Sequence, residues 1–240
     1  MWDRPGALNA LSNLLFASTA AFAAWTLLHW AAGLSYFAPR VMTVRGMTAH
    51  VARDEVSFIA RRRLRDNFFA ADIDGVRQDF EKLPWVRSVS VTRSWPLEID
   101  VKIEEHVPIA RWGVDQLVDS YGDVFEASTD VALPQFSGPA GSSREVSREY
   151  VAFSRTMAVL NRKVAVVSLS DRRSWALHLD DGMVIELGRS RMEKRLSDFA
   201  ALYGNTVGRL DKKIDYVDLR YDNGFAVRIP GMKVRARGAA

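Results

Sequence analysis

Cysteine is absent from this 240-residue chain. That absence excludes a disulfide framework, thiol catalysis and Cys-ligated metal sites together. It also suits an exported domain, where stray thiols meet an oxidising environment. Histidine is scarce, with four residues far apart and one of them, His29, inside an apolar run. Usable carboxylate pairs are missing as well. Glu104-Glu105 and Asp180-Asp181 are sequence neighbours, and adjacent strand residues point to opposite faces. No G-x-S-x-G elbow, Walker loop, G-x-G-x-x-G turn or metal-ligand spacing occurs. The expectation is a protein that is not an enzyme and carries no cofactor, with His106 a surface residue at a strand end. A net charge of +4 is too small to argue for a nucleic-acid partner, and none is expected.

Charge is missing locally too. No Asp, Glu, Lys or Arg occurs between Pro5 and Pro39. Leu11 to Ala32 would span roughly 33 Å as a helix, enough to cross a bilayer, and Trp25, Trp30 and Tyr36 fall near one end, as interfacial aromatics do. A cleaved signal peptide with Ala21-Phe22-Ala23 as its A-x-A site is the alternative. The apolar character continues past that site through Leu27 and Leu28, which favours a retained anchor over residues 11–36 behind a short tail, 1–10. Orientation by charge runs the other way. Arg4 alone precedes the span while Arg40, Arg45 and Arg53 follow it, so the positive-inside rule opposes an internal N-terminus, although long translocated domains override it.

The apolar fraction of 48% and charged fraction of 26% are ordinary for a chain that buries a core, and periodicity divides that core in two. Val41 to Gly46 reads as a short strand. Asp54 opens a helical stripe of Val56, Ile59, Ala60 and Leu64, whose outer face carries Arg61, Arg62, Arg63 and Arg65, either solvated or set against anionic lipid. Asp72 is an N-cap for a helix through Ile73, Val76, Phe80 and Leu83. Two strands follow. Val89 and Val91 share a face with Arg87 and Arg93, so this strand either sits on the solvent side or pairs its arginines with Glu98 or Asp100 across the hairpin. Leu97, Ile99, Val101 and Ile103 alternate with charged residues, the mark of a half-buried strand. The order strand-helix-helix-strand-strand forms an α+β unit over 39–108.

Beyond Pro108 short strands and turns predominate. A hairpin is expected around Ser120-Tyr121-Gly122, then a loop over Leu133 to Ser143, rich in Pro, Gly and Ser. Val146, Tyr150, Phe153, Met157 and Leu160 form a helical core stripe. Val164–Leu169 reads as a strand, Trp175–Leu179 and Met183–Leu187 as a hairpin, and Met192, Leu196, Phe199 and Tyr203 as a second helix. Tyr216–Tyr221 and Phe225–Ile229 flank an Asp222-Asn223-Gly224 turn, and Asn-Gly between two strand patterns is the best short hairpin signal in the sequence. A final strand is often an edge, open to strand addition unless Arg220 and Arg228 blunt it. The tail, 230–240, is expected to be disordered.

Many of these segments resemble, in order, those of the bacterial FtsQ/DivIB cell-division family: Lys82-Leu83-Pro84-Trp85-Val86, Arg93-Ser94-Trp95-Pro96, Glu104-Glu105-His106-Val107-Pro108-Ile109-Ala110-Arg111-Trp112, Leu133 to Pro139, Arg172-Arg173-Ser174-Trp175, Ile185 to Arg189, and Tyr216 to Gly224. The resemblance implies a single-pass inner-membrane protein with a cytoplasmic N-terminus, a periplasmic POTRA domain (39–108) and a periplasmic β domain (109–229) with flanking helices. Its implied role is a non-enzymatic scaffold concentrated at the division septum, recruiting the FtsB–FtsL pair as FtsB adds a strand to the last β-strand. By that resemblance Arg172, Arg220, Tyr221, Gly224, Phe225, Ala226 and Val227 fall at FtsB-contacting positions. Gly224 would admit the partner backbone, the arginines would meet acidic partner side chains, and Phe225 is bulky where many relatives are small. Other divisome proteins are expected at the POTRA domain, and weak self-association is compatible with the family. The alternative is a POTRA-bearing chaperone or scaffold of secretion or outer-membrane assembly. Such systems follow POTRA domains with a long barrel, which the helix-containing remainder here cannot supply.

Overall fold

The uncharged N-terminal run forms one helix, α1 (Pro5–Ala32). Its segment Leu8–Trp30, with mean hydropathy 1.5, is long and apolar enough to cross a membrane, and none of it is buried against the protein. Three of its hydroxyls are satisfied locally. The hydroxyls of Ser18 and Thr19 donate to the Leu15 carbonyl and that of Thr26 to the Phe22 and Ala23 carbonyls, which hides them from an apolar solvent. The computed structural model describes residues 5–32, 41–46, 49–63, 68, 71–210 and 212–232. The helix takes in residues 5–10 of the expected tail, while residues 33–36 of the expected span and 233–240 of the expected C-terminal tail lie outside the described residues. The chain divides into two units between Glu105 and His106.

The first unit is α+β in the order read from the sequence: β1 (Val41–Gly46), α2 (Arg53–Arg63), α3 (Ile73–Glu81), β2 (Val86–Ser94) and β3 (Glu98–Glu105). β3 is central, parallel to β1 and antiparallel to β2. Its alternation sends Ile99, Val101 and Ile103 into a core shared with Val76 and Phe80 of α3, and the Asp72 carboxylate caps α3 by accepting from Gly75 N at 2.9 Å. Glu105 continues the same period and is therefore buried with the apolar residues. Burial of a carboxylate is costly unless it is hydrogen-bonded. Here the backbone N–H groups of Ala49, His50 and Val51 donate to it at 3.0–3.2 Å, while the His50 ring stacks on Trp85.

The second unit holds an open nine-stranded mixed sheet. Its strands are β4 (Pro108–Trp112), β5 (Gln116–Asp119), β6 (Val124–Phe125), β7 (Gln135–Ser137), β8 (Val164–Leu169), β9 (Trp175–Leu179), β10 (Val184–Gly188), β11 (Tyr216–Asp218) and β12 (Ala226–Arg228). Their spatial order is β12-β11-β10-β9-β8-β7-β4-β5-β6. Helix α4 (Ser143–Ala158) packs on β7 and β8 and helix α5 (Met192–Tyr203) on β10, and the two helices touch each other. They therefore cover one face. Phe153 and Met157 of α4 and Leu196 and Phe199 of α5 meet Phe136, Val167, Leu177, Ile185 and Val217 of the sheet in one core.

Four expectations are corrected or narrowed. Gln135–Ser137, read as loop, is a strand between β4 and β8; three residues beside a proline were too few for their alternation to show. Arg87 pairs with Glu104 at 2.8 Å, and Arg93 donates to the Ala71 carbonyl at 2.7 Å, so neither meets Glu98 or Asp100. The antiparallel register, from Ser94↔Glu98 to Ser88↔Glu104, places Arg87 at the end of β3 far from Glu98 and Asp100. His106 is not a surface residue. Its ring stacks on Phe125, and its Nδ1 lies 2.8 Å from the fully buried Asp119 carboxylate, whose other oxygen accepts from Tyr121 N and Asp123 N. Finally, the last hairpin turns within the expected segment, at Asp222 and Asn223, but on shorter strands than expected. β11 ends at Asp218 and β12 starts at Ala226, directly opposite, so residues 219–225 form a wide loop. Neither Asn223 nor Gly224 adopts the positive φ that a two-residue Asn-Gly turn requires.

Candidate functional site

The best-defined surface feature of the second unit is the corner where the sheet ends. β12 is last in the strand order, paired through Tyr216↔Arg228, Val217↔Val227 and Asp218↔Ala226 on its inner side. Among the described residues no strand pairs with its outer side. A strand in that position presents a row of N–H and C=O groups to any extended segment that approaches. Val227 is half-buried against the core, whereas Ala226 and Arg228 are exposed. The two charges expected to guard this edge are turned back onto their own chain. The Arg228 guanidinium lies over the Tyr216 ring, 5.3 Å from its centroid. Arg220 forms a fork with Asp218, Nε to Oδ1 at 2.8 Å and Nη2 to Oδ2 at 2.6 Å, and its backbone N–H also donates to Oδ1. That pairing holds the Asp218 carboxyl below its ordinary range, the Arg220 side-chain hydrogen bond being the largest cause and burial opposing it.

Beside the edge lies a groove of about 430 Å³ between α5 and the 219–225 loop. Arg195, Asp198, Phe199 and Leu202 form one wall; Leu219 and Tyr221 to Phe225 form the other. Asp222 clips the loop to the helix, accepting from Arg191 at 2.5 Å and Arg195 at 3.1 Å. Arg191 itself has φ 56, the left-handed region, one residue before α5 begins. Phe225 faces inward, edge-to-face on Phe199 with ring centroids 5.3 Å apart. Its bulk therefore fills the floor of this chain's own groove. Tyr221 is exposed, as is Gly224, where an added Cβ would meet nothing within 4 Å.

Of the residues singled out from the sequence, Arg220, Tyr221, Gly224, Phe225, Ala226 and Val227 come together at this corner, but only Ala226 and Val227 are in a strand. Arg172 sits in the Ser170–Ser174 turn between β8 and β9. The registers Gly188↔Trp175 and Glu186↔Asp218 bring that turn to the same end of the sheet. Three strand spacings, about 14 Å, separate β9 from β12, so Arg172 is a neighbour of the corner and not part of its edge. It is exposed and forms no ion pair among the described residues. Asp218, Asp222, Arg191 and Arg195 escaped the sequence reading. The only signal was the Asp218-x-Arg220 spacing, which puts both side chains on one side of an extended chain. Among the described residues, no group of three or more His, Asp or Glu side chains could hold a metal ion.

Two family models match this chain. Residues 37–106 match the FtsQ-type POTRA domain, and residues 110–220 match the C-terminal domain of cell division protein FtsQ/DivIB. The second match stops at Arg220, short of Tyr221 to Val227. Curated relatives are similar over nearly the whole length. Cell division protein FtsQ of Nitrosospira multiformis is 38% identical over 95% of this chain and 99% of its own. That of Burkholderia pseudomallei is 38% identical over 97% and 96%, and that of Escherichia coli is 32% identical over 90% and 83%.

Proposed function

The chain belongs to the FtsQ/DivIB family of cell-division proteins, and on that premise we propose that it is a non-enzymatic divisome scaffold that binds the FtsB–FtsL pair at the β12 corner. α1 anchors it in the inner membrane, the N-terminus is cytoplasmic, and the POTRA domain over 39–108 and β domain over 109–229 work in the periplasm at the septum. The observation that carries the reading is the terminal position of β12, with its outer side open and its flanking arginines folded inward. FtsB would add a strand there by backbone hydrogen bonds, passing Gly224 and Ala226, whose small side chains leave room for a second backbone. Tyr221 would give the incoming segment an aromatic surface, and Val227 would hold the strand in place from behind. Phe225 supports the loop from beneath. Of the two arginines, Arg172 has its charge available for a partner carboxylate, whereas Arg220 must share its guanidinium with Asp218 or leave it.

An assembly chaperone preceding a barrel is disfavoured by the open nine-stranded sheet with two helices on one face. Ala226→Pro tests the edge. Proline removes a backbone donor and crowds the incoming strand, while Ala226 is exposed and outside the core. The expected result is loss of FtsB co-purification, together with photocrosslinks to FtsB from Tyr221 and not from Lys102 of the first unit. Retained co-purification with Ala226→Pro and no crosslink from Tyr221 would remove β12 from the interface.

A further inference from the structure

The β2–β3 turn, residues Trp95 to Leu97, leaves an indole ring 87% exposed. Topology decides where that ring is. β1 pairs with β3 in the parallel register Val41↔Glu98, and β2 pairs with β3 through Ser94↔Glu98. The turn and the start of β1 therefore lie at the same end of the three-stranded sheet. Val41 is where the chain arrives from α1. Eight residues separate it from Ala32, and even fully extended they reach no further than about 30 Å. Trp95 is thus held within a short tether of the point where α1 leaves the bilayer. Ala71, at the head of α3, is at the same end, because Arg93 on the turn side of β2 donates to its carbonyl. Glu98, Asp72 and Asp74 put negative charge at this end, so the ring is the principal contact.

We propose that the Trp95-Pro96 turn is a second membrane contact. Its indole sits among the lipid headgroups of the bilayer that α1 spans, so the first unit stands on the membrane by this end of its sheet. An indole suits that layer because it couples a large apolar ring to one N–H donor. The proposal rests on α1 being a retained anchor and is independent of what binds at β12.

The absence of cysteine makes the test clean, since a single spin label can be placed anywhere. Glu98→Cys puts a label beside the turn with Trp95 intact. Lys82→Cys puts one at the opposite end of the unit, next to the start of β2 that pairs with Glu105. Ala20→Cys puts one within α1. The full chain is reconstituted in nanodiscs of phosphatidylethanolamine and phosphatidylglycerol, and relaxation by oxygen is compared with relaxation by a water-soluble nickel chelate. The labels at 20 and 98 are expected to favour oxygen and the label at 82 the chelate, and Trp95→Ala is expected to move the label at 98 to the chelate side. A water-like label at 98 with a lipid-like label at 20 overturns the contact and leaves the turn to a protein partner. So do equal responses at 98 and 82, or no effect of Trp95→Ala. A water-like label at 20 removes the anchor itself, a distinct outcome that overturns the proposal at its premise and leaves the β12 reading untouched.

Discussion

The chain exposes a large aromatic at the end of each of its two sheets, Trp95 in the first unit at 87% and Tyr221 in the second at 59%, and their surroundings differ in kind. Tyr221 belongs to a loop that is clipped to α5 through Asp222, floored by Phe225 on Phe199, and continuous with an open strand edge. Trp95 follows β2, an edge strand of its own sheet, and lines none of the grooves described, but it sits in the turn at the end where the chain comes from α1. Exposure is the same signal in both places. What separates them is placement: Tyr221 lines a groove between α5 and the loop before β12, whereas Trp95 sits at the end of its sheet where the chain arrives from α1. A directional edge with an apolar groove suits a folded or extended polypeptide, whereas an isolated indole near a bilayer suits an undirected, layered solvent.

The largest effect that would break this contrast is loss of the floor beneath Tyr221. Phe199 is fully buried and touches both Phe225 and Tyr203. Phe199→Ala removes that ring from a packed core, and a loss of about 3–5 kcal/mol is expected, read as reduced amide-exchange protection in β10 and β11. Partner binding at the corner should fall with it while the label at position 98 stays unchanged. If protection in β10 and β11 is unaltered, the loop does not depend on α5 and the groove is incidental.

A smaller effect is pH-dependent. Arg220 holds the Asp218 carboxyl below its ordinary value of 3.8, first through the side-chain hydrogen bond. A carboxyl lowered on folding contributes stability that is fully present above its unfolded value and is lost as pH falls through its folded value. Protection of β11 should therefore drop in acid, as pH falls below the ordinary value of 3.8, and Asp218→Asn should flatten that part of the profile. The first unit, which contains neither residue, serves as the internal control. An unchanged profile in Asp218→Asn would show that other carboxylates govern the acid response.

Much of this architecture was legible because it follows from period. The α1 run, the β3 alternation and the α4 and α5 stripes are long enough for their periodicity to be unambiguous, and the strand-helix-helix-strand-strand order followed from them. What escaped was short or non-local. β7 has three residues and takes its strand character from β4 and β8, which are distant in sequence. Asn223-Gly224 carried a strong local turn signal, but nothing local announced that Asp222 pairs with Arg191 and Arg195 some thirty positions earlier. His106 read as a surface residue because polarity argues for exposure, and nothing local marked Glu105 as buried. Their burial is possible only because Asp119 in one case, and three backbone donors in the other, come from elsewhere in the chain. At the corner, the identities at 220–227 were readable, but not that Phe225 turns inward or that Arg220 is already paired.

The smallest expected effect sharpens the contrast most. Trp95 is largely outside the core, so its ring contributes little buried area to the fold, and surface changes of this kind usually alter stability by less than about 0.5 kcal/mol. Trp95→Ala should leave urea unfolding of the first unit and FtsB co-purification unchanged, while removing the lipid contact at position 98. The equivalent truncation at the other corner, Tyr221→Ala, should do the reverse, weakening partner binding with no change at position 98. Each ring then acts on its own neighbour, one on lipid and one on protein. A Trp95→Ala variant that loses stability would instead give the indole a structural role in closing the β2–β3 turn, and the two rings would differ in what they hold together and not in what they bind.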